Sequence, residues 1–533
     1  MLKNHSTVSV LSFVFLLIIQ FSALGQASEA AMKTQADLEK ILEEKGIPGI
    51  SVSIIQNNQQ ENICAGYADP DQKIKMTAQH RLLSGSIGKT YFATQVMLLV
   101  EQGKLDLDAK AMKYMKDEAW FSTVQNAPDI TIRSLLNHTS GVPEYVYAPE
   151  MWKTAKNDLT KQWTASERLA FIKDEPAHFP TGKGWSYADA NFIILGAIVE
   201  KVSGEAIYDL VQQNILKPLK LTQTQPSIQP KMKGLTAAYT GRMFGDIFGE
   251  KVSAMGEYAM GPQFEWTGGG FITNPSDLAK WVYELNQGKI LQASSLAQMY
   301  SPVNRQTGVP ASTGYGFGAE VFATTRGVAY GHSGFMPGFI SLTAYLPEYD
   351  MAVALQINSD PYSSKMKGRI SAFDLLETVL EHYTPKVKAF KKATKVYLVR
   401  HAEKADDGTR DPDLDEAGKK RAQHLAEVLA NKNIDAIYST PYKRTRQTAA
   451  PLAKRLGKEV QGWSPSSMMQ VYEIIANNPG KTVLIVGHSN TTPAMVNLIA
   501  PNANLEQLDE SAYGDLFLVK YKKGKGKLKR STF

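Results

Sequence analysis

Ser86 and Lys89 have the residue types and the spacing that covalent acyl transfer requires. Three positions apart on a helical turn, the two side chains share one face, where a desolvated lysine can take the proton of the serine hydroxyl. The spacing alone is weak evidence, because Ser364 and Lys367 have it too. Ser86, however, directly precedes an amphipathic run over 92–100, which predicts a helix whose first N–H groups face a developing oxyanion. We therefore predict that Ser86 is the acylated nucleophile of a serine hydrolase.

Three further segments accompany Ser86 in the first two thirds of the chain. They are Leu135-Leu136-Asn137-His138-Thr139-Ser140-Gly141-Val142-Pro143, Tyr187-Ala188-Asp189 and Gly331-His332-Ser333-Gly334. With Ser86-Ile87-Gly88-Lys89 they resemble the motifs of the penicillin-recognising serine hydrolases, the group of class C β-lactamases, D-alanyl-D-alanine carboxypeptidases and esterases. The motifs stand in the family's order, and we expect this domain to span 33–383.

The resemblance implies a role for each motif residue. Ser86 attacks a carbonyl, and Lys89 and Tyr187 exchange the proton between nucleophile, leaving group and water. The backbone N–H groups of Ser86 and Phe335 form the oxyanion hole. The substrate-binding residues implied in this way are Asp189, His332, Ser333 and Gly334. The resemblance calls for neither a metal ion nor a cofactor.

Two positions depart from the family's pattern. His332 stands where β-lactamases and many transpeptidases have lysine, so the site lacks a permanent positive charge for a penicillin carboxylate. Asp189 replaces the commoner asparagine and cannot donate a hydrogen bond when ionised. Both changes favour a carboxypeptidase-like enzyme or an esterase, acting on a D-amino-acid peptide or a small ester. A class C-like β-lactamase and a non-catalytic protein that binds penicillin or cell-wall material remain alternatives.

A second group of residues with chemical potential lies near the end of the chain. Arg400-His401 follows an apolar run at 396–399, Arg444 lies in a segment that begins Tyr438-Ser439-Thr440-Pro441, and His488 follows Val486-Gly487. Two guanidiniums and an imidazole can surround the oxygens of a transferring phosphoryl group while a neutral histidine nitrogen attacks phosphorus.

The three segments resemble the histidine phosphatase superfamily, which includes the phosphoglycerate mutases. The resemblance covers about 395–521 and implies that His401 becomes the phosphohistidine, while Arg400, Arg444 and His488 bind phosphate. The carboxylate that larger members use as general acid cannot be assigned, and Glu403 and Glu473 are candidates only. Without an acid, we expect a phosphorylated small molecule with a good leaving group.

The first group of motifs requires an α+β domain. An apolar, β-branched run at 49–55 and a second short run after Gln56-Asn57-Asn58-Gln59-Gln60 predict a hairpin. A helical period spans 192–202, and strands are predicted at 339–346 and 351–357. Strands at both ends with helices between them predict an antiparallel sheet flanked by helices, as in the β-lactamase and transpeptidase fold, with a helical region.

The second group requires an α/β domain. After a linker at 384–394, the chain alternates between strands and helices, with strands at 396–399, 434–438 and 483–486 and helices at 416–430 and 442–456. Such alternation predicts a mostly parallel sheet between helices, the three-layer phosphoglycerate mutase-like fold. We expect this domain to occupy 395–521 and a flexible basic tail to follow at 522–533.

The whole chain has 533 residues, 43% of them hydrophobic, and a net charge of +7. It is long enough for two cores and not basic enough to indicate nucleic acid. Lys3, the apolar run 8–21 and Ala23-Leu24-Gly25 resemble a signal peptide over 1–25, with no stable membrane span after cleavage. We therefore expect a bacterial periplasmic or secreted protein with peptide or small-molecule substrates, peptidoglycan among the candidates. Cys64 is the single cysteine, which excludes an intramolecular disulfide.

Overall fold

The computed structural model describes residues 27–533 except 304, 306, 307, 309–312, 369, 385–392, 410, 464–469, 501, 502, 523 and 524. The predicted signal peptide at 1–25 lies outside the described residues, as does most of the predicted linker at 384–394. Thr394, the last residue of that linker, is the first residue of a strand.

The strands are numbered in chain order. They are β1 Gly49–Gln56, β2 Gln59–Asp69, β3 Ile74–Lys75, β4 Leu82–Leu83, β5 Gln225–Pro226, β6 Ala238–Tyr239, β7 Lys251–Ala254, β8 Glu257–Tyr258, β9 Phe271–Thr273, β10 Gly314–Tyr315, β11 Glu320–Thr324, β12 Gly327–Met336, β13 Phe339–Leu346, β14 Met351–Ile357, β15 Thr394–Arg400, β16 Ala436–Ser439, β17 Val460–Gly462, β18 Thr482–Gly487, β19 Asp515–Lys522 and β20 Lys525–Thr532.

The α-helices are numbered in the same way. They are α1 Glu29–Lys45, α2 Gly88–Glu101, α3 Met112–Met115, α4 Ile132–Leu136, α5 Pro149–Asn157, α6 Ala165–Ala170, α7 Asp189–Ser203, α8 Ile207–Val211, α9 Arg242–Phe248, α10 Pro275–Asn286, α11 Ala293–Met299, α12 Ala372–Tyr383, α13 Glu416–Leu429, α14 Lys443–Leu456, α15 Gln470–Asn477 and α16 Thr491–Ile499.

The first domain is built on an antiparallel sheet with the strand order β10-β11-β12-β13-β14-β1-β2-β3. The predicted hairpin is confirmed as β1 and β2, whose turn places Asn57 and Asn58 at positive φ, as a tight hairpin turn requires. The last strand, β14, pairs with β1, so the two ends of the domain share one sheet as expected. Helices α1 and α12 cover one face of this sheet, and α10 packs on the other.

A helical region completes the first domain and contains its largest core. The helices α2 and α7 are buried along almost their whole length, which explains why their sequences are apolar on nearly every side. Because α2 begins just after Ser86 and α7 begins at Asp189, the packing of these two helices brings the starts of both motifs together.

The second domain has three layers, as predicted. Its sheet has the order β17-β16-β18-β15-β19-β20, in which β15 to β18 are parallel and β19 and β20 are antiparallel. Side chains alternate along β15, so that Val396 and Leu398 join a core with α15 and α16, whereas Tyr397 and Val399 join one with α13 and α14.

The expectation of a flexible basic tail over 522–533 is wrong. The structure places β20 in this segment, where it pairs with β19 from Asp515–Thr532 to Lys522–Lys525. Leu528 packs against the core, and Arg530 forms an ion pair with Asp515 at 2.8 Å. Lysines are common on the exposed side of edge strands because they oppose further strand pairing, so basic composition does not exclude a strand.

In the described part of the chain, no helix has the length and apolar character that crossing a membrane requires.

Candidate active sites

Ser86 lies in a short 3-10 turn, 85–87, that leads directly into α2. Gly85 makes this turn possible: its φ is 52°, and a Cβ there would lie 2.5 Å from the Phe335 carbonyl oxygen. The turn therefore packs directly on the backbone of Phe335 in β12. This proximity is what an oxyanion hole built from the N–H groups of Ser86 and Phe335 requires.

Lys89 is fully buried, and its ammonium group has three acceptors around it. Its Nζ lies 3.1 Å from Ser86 Oγ and 2.5 Å from Asp189 Oδ1, and it also donates to the Gly268 carbonyl. A desolvated ammonium is stable only when such partners replace water. The structure thus joins three residues that the sequence predicts for one site.

Tyr187 completes this group from the segment before α7. Its ring lies 4.8 Å from Lys89 Nζ, and its hydroxyl is buried. Among the described residues the hydroxyl has no partner that meets hydrogen-bond geometry, although Ser86 lies close enough to favour its ionised form. Burial dominates and raises the pKa of Tyr187 well above 10, so Tyr187 stays protonated at neutral pH.

His332 is buried in β12 and uses both ring nitrogens within the protein. Nδ1 lies 2.5 Å from the Ser333 carbonyl, which assigns the proton to Nδ1, so Nε2 accepts from the Tyr315 hydroxyl at 2.8 Å. Burial lowers the pKa of His332 to about 4, although the Glu320 carboxylate opposes this shift. His332 is therefore neutral at pH 7 and brings no fixed positive charge to a substrate anion.

The other two residues of the third motif also have defined contacts. The Ser333 hydroxyl donates to Glu320 Oε1 at 2.8 Å. Gly334 is needed because a Cβ there would lie 2.0 Å from the Ser84 carbonyl oxygen, so any side chain would push β12 away from the Ser86 turn. The motif thus sets the distance between strand and nucleophile.

Two buried carboxyl groups near Lys89 were missed by the sequence analysis. Glu144 accepts hydrogen bonds from the backbone N–H groups of Asp189 and Val146, and Glu265 accepts one from Gly270 at 3.0 Å. Burial, with the Asp189 charge adding to it, raises the pKa of Glu144 above its ordinary value and that of Glu265 to about 8. Both groups are therefore mainly protonated at pH 7.

A cavity of about 780 Å³ opens at Ser86. Its polar end, next to Ser86, includes Glu144, Asp189 and Glu265, and Lys153 and Lys156 also line the cavity. Its walls are largely aromatic, and they include Tyr147, Trp152, Phe244, Phe264, Phe335 and Tyr362. Tyr147 and Tyr362 are 81% and 57% exposed, so part of this aromatic surface is not explained by core packing.

The second group of predicted residues comes together at one edge of the second sheet. Arg400 ends β15 and is followed by His401, and His488 follows β18, the parallel neighbour of β15. The rings of His401 and His488 are 5.6 Å apart between centroids. Arg444 lies in the first turn of α14. Ligands of open α/β sheets bind at this carboxyl edge.

His401 has the tautomer that a nucleophile needs. Its Nδ1 lies 2.7 Å from the Ala402 carbonyl and so carries the proton, which leaves the Nε2 lone pair for attack. Burial lowers the pKa of His401 to about 4 and that of His488 to about 3. Both imidazoles are therefore neutral at pH 7.

Arg400 is 2% exposed and is held by a segment that the sequence analysis did not identify, 509–513. It donates to the carbonyls of Asp509 and Ala512 at 2.7 and 3.0 Å, pairs with Glu510 at 2.7 Å and lies 4.2 Å from the Tyr513 ring. Four different contacts fix the plane of the guanidinium group. Arg444, in turn, lies 3.6 Å from Asp411.

The two candidates for a general acid, Glu403 and Glu473, differ in what the structure shows of their side chains. Glu403 accepts hydrogen bonds from Arg421 at 2.6 to 2.9 Å, which lower its pKa and hold it as a structural ion pair. Glu473 lies in α15, and its side chain is outside the described part of the structure. The hydrogen bonds of Glu403 thus go to Arg421, which is not one of the predicted phosphate-binding residues.

The structure thus contains a serine-lysine-tyrosine cluster in the first domain and a separate histidine-arginine cluster at the carboxyl edge of the second sheet. Comparison with known families agrees with this division: the Beta-lactamase family model matches 34–377, and the model of the Histidine phosphatase superfamily (branch 1) matches 396–464. The chain belongs to the Beta-lactamase family and carries a histidine phosphatase domain after it.

Individual relatives resemble the first domain. Penicillin-binding protein 4* of Bacillus subtilis is 24% identical over 290 residues, which is 52% of this chain and 60% of that protein. A D-stereospecific amidohydrolase from Streptomyces sp. is 25% identical with a TM-score of 0.56, covering 68% of this chain and 100% of its own. A D-amino acid amidase from Ochrobactrum anthropi SV3, complexed with L-phenylalanine amide, has the same fold at 24% identity, a TM-score of 0.57, and coverage of 67% and 98%.

Proposed function

We propose that the first domain hydrolyses amides or short peptides of D-amino acids through an acyl-enzyme on Ser86. The observation that carries this proposal is the contact of Lys89 Nζ with Ser86 Oγ at 3.1 Å, at the polar end of the cavity. The two structural relatives, a D-stereospecific amidohydrolase and a D-amino acid amidase, support the choice of an amide bond and of the D configuration.

The cavity supports a more definite substrate. Its aromatic walls fit an apolar or aromatic side chain, since such a side chain loses contact with water on binding. Three carboxyl groups, Glu144, Asp189 and Glu265, line its polar end. An ammonium group placed there would lower the raised pKa of Glu144 and that of Glu265 and would favour their ionised forms. The proposed substrate therefore has a free amine and an apolar side chain next to the scissile carbonyl.

In the proposed mechanism, Lys89 accepts one proton and Tyr187 donates another. Ser86 Oγ bonds to the carbonyl carbon while its proton passes to Lys89 Nζ, 3.1 Å away, which accepts it as a neutral amine. Tyr187, which is protonated before the reaction, donates its proton to the leaving amine as the carbon–nitrogen bond breaks and regains a proton from water in the second step. Water then attacks the ester carbonyl with the same groups acting in reverse.

A panel of acyl donors tests this proposal. Full-length protein is assayed with D- and L-phenylalanine amide, N-acetyl-D-phenylalanine amide and p-nitrophenyl acetate. The matched variants are Ser86→Ala and Ser364→Ala, because Ser364 has the same Ser-x-x-Lys spacing but donates to Glu250 and is not among the residues that line the cavity. We expect D-phenylalanine amide to be the best substrate and only Ser86→Ala to lose activity. Equal rates for the acetylated amide would remove the carboxyl groups from substrate recognition.

We further propose that the second domain removes phosphate from a phosphorylated small molecule through phosphohistidine at His401. The support is the free Nε2 of a neutral His401 beside His488 and Arg400. Phosphate release from p-nitrophenyl phosphate, compared between wild type, His401→Ala and the exposed-site control His424→Ala, tests this role. Equal rates in wild type and His401→Ala would exclude it.

Export to the periplasm or to the medium is likewise a proposal and rests on the leader-like segment 1–25. Fractionation of bacterial cells expressing the full chain, followed by N-terminal sequencing, tests it. We expect a mature protein that begins after residue 25 outside the cytoplasm. A full-length protein retained in the cytoplasm would contradict export.

A further inference from the structure

We propose that Glu510 is the general acid and base of the second site: it protonates the leaving oxygen and then activates water. This inference rests on the proposed phosphatase function and supplies the carboxyl group that the sequence left unassigned. It follows from the position of Glu510 between the two strand ends that carry His401 and His488.

Glu510 touches both of these strand ends. Its Oε2 lies 2.7 Å from the Arg400 guanidinium, next to His401, and its Oε1 accepts a hydrogen bond from Ser489, next to His488, at 2.8 Å. The side chain is 70% exposed, so its carboxyl group faces the solvent side from which a substrate arrives.

Other described carboxylates near this site have partners of their own, and that of Asp509 accepts hydrogen bonds from Ser511. Glu403 is held by Arg421, and Asp411 accepts the backbone N–H of Lys443 at 2.9 Å while it faces Arg444. Among the described side chains, Glu510 is thus the carboxylate that combines contact with Arg400 with high exposure.

The free donor of Arg400 shows where a phosphoryl group would bind. Its Nε is buried and, in the described part of the chain, has no acceptor. A buried donor without a partner is costly, and a phosphoryl oxygen would satisfy it. A phosphoryl group held there and by His488 would have the Glu510 carboxyl beside its bridging oxygen.

Binding of such an anion also changes the state of Glu510. In the structure the Ser489 hydrogen bond, with help from Arg400 and Lys404, lowers the pKa of Glu510; His488 and Tyr513 are the other titratable groups that face it. A phosphoryl group takes over the Arg400 charge and adds negative charge next to the carboxylate. Both effects raise the pKa of Glu510, so substrate binding favours the protonated carboxyl group that a general acid requires.

The proposed reaction has two steps, phosphoryl transfer to His401 and hydrolysis of the phosphohistidine. His401 Nε2 forms a bond to phosphorus as the bond from phosphorus to the alcohol oxygen breaks, and the Glu510 proton moves to that oxygen. In the second step a water oxygen bonds to phosphorus, the phosphorus–nitrogen bond breaks, and the water proton returns to Glu510. Phosphate leaves, and both residues are restored.

Leaving-group dependence in the full-length protein tests the proposal. Glycerol 2-phosphate has a poor leaving group that needs protonation, whereas p-nitrophenyl phosphate has a good one that does not. In Glu510→Gln we expect kcat/KM for glycerol 2-phosphate to fall by about 10²- to 10⁴-fold, the usual contribution of general acid catalysis, while that for p-nitrophenyl phosphate changes by less than about threefold. The measured parameter is kcat/KM because it covers only the steps up to release of the alcohol.

Matched variants distinguish general acid catalysis by Glu510 from a positioning role of Glu510 and from an acid elsewhere in the site. Glu506→Gln, an exposed glutamate of the same loop, should leave both substrates unchanged, and Glu510→Asp should retain part of the activity on glycerol 2-phosphate. An equal loss on both substrates would make Glu510 a positioning residue for Arg400, and no loss on either would place the acid elsewhere; each result overturns the proposal. Failure of the phosphatase function itself is recognised separately, by unchanged p-nitrophenyl phosphate hydrolysis in His401→Ala.

Discussion

The Lys89 ammonium group lies 2.5 Å from the Asp189 carboxylate inside the first domain, where the family's commoner residue is asparagine. Lys89 is fully buried and Asp189 is 13% exposed, so the pair faces a low dielectric. Asparagine would leave the lysine with neutral acceptors only, whereas aspartate can both balance its charge and share its proton. This exchange changes what the site can bind, because it adds a negative charge to the polar end of the cavity.

Replacing Asp189 with asparagine should make the protein react faster with penicillin. The change removes a charge that repels the penicillin carboxylate and adds an amide that can donate to the acyl carbonyl. We expect the rate constant for acylation by a fluorescent penicillin to rise about tenfold, equivalent to about 1.4 kcal/mol. Asp129→Asn, at an exposed ion pair with Lys110, is the control and should have no effect. A slower reaction in Asp189→Asn would show that the carboxylate assists acylation of every substrate.

Glu265 should make the first domain less stable as pH rises from 4.5 to about 8. Burial raises its pKa from 4.5 to about 8, so in this range the folded state binds a proton that the unfolded state has lost. The free energy of unfolding then falls by up to about 1.4 kcal/mol per pH unit from this group. Urea unfolding of wild type and Glu265→Gln between pH 5 and pH 8 measures the difference. Parallel pH profiles for the two proteins would contradict the assignment.

Gly85→Ala should abolish acylation. A Cβ at Gly85 would lie 2.5 to 2.8 Å from backbone atoms of Phe335 and would push the Ser86 turn off β12. We expect at least about a 10²-fold loss in the acylation rate constant, the usual cost of losing one oxyanion-hole donor. Gly103→Ala is the matched control, since Gly103 also has a positive φ but has nothing within 4 Å of its Cβ position. A similar loss in both variants would point to backbone strain rather than to the oxyanion hole.

His401 and His488 should remain neutral at mildly acidic pH. Their pKa values, about 4 and about 3, lie below the ordinary value of 6.5 because burial and the nearby arginines disfavour the charged form. We expect no chemical-shift change of their Cε1–H resonances between pH 5.5 and 7.5 in protein labelled at histidine. His401→Gln and His488→Gln assign the two signals. A titration centred near 6.5 for either residue would show a solvated, protonated imidazole.

The sequence predicts those parts of the sites that lie in contiguous motifs. Ser86, Lys89 and Tyr187 each stand next to residues that mark a helix start, and strands such as 339–346 are predicted with their observed bounds because turns limit them on both sides. Glu144 and Glu510 could not be found in this way. They meet Asp189 and Arg400 from 45 and 110 residues away, and only the packing of the chain creates those contacts.

The last strand, β20, could not be predicted from the composition of its segment. The lysine-rich composition of 525–532 is typical of a solvated segment, yet pairing with β19 places Lys527 and Lys529 on the exposed face of an edge strand. Pairing of this kind depends on a partner strand, not on local composition, and it therefore cannot be recognised from the segment alone.

Covalent labelling tests whether Ser86 forms an acyl-enzyme. Full-length protein is incubated with an activated ester of D-phenylalanine, quenched in acid, and examined by intact mass and peptide mass spectrometry. We expect one added acyl group on the peptide that contains Ser86, no adduct in Ser86→Ala, and an unchanged adduct in Ser364→Ala. An adduct at another residue, or continued amide hydrolysis by Ser86→Ala, would contradict it.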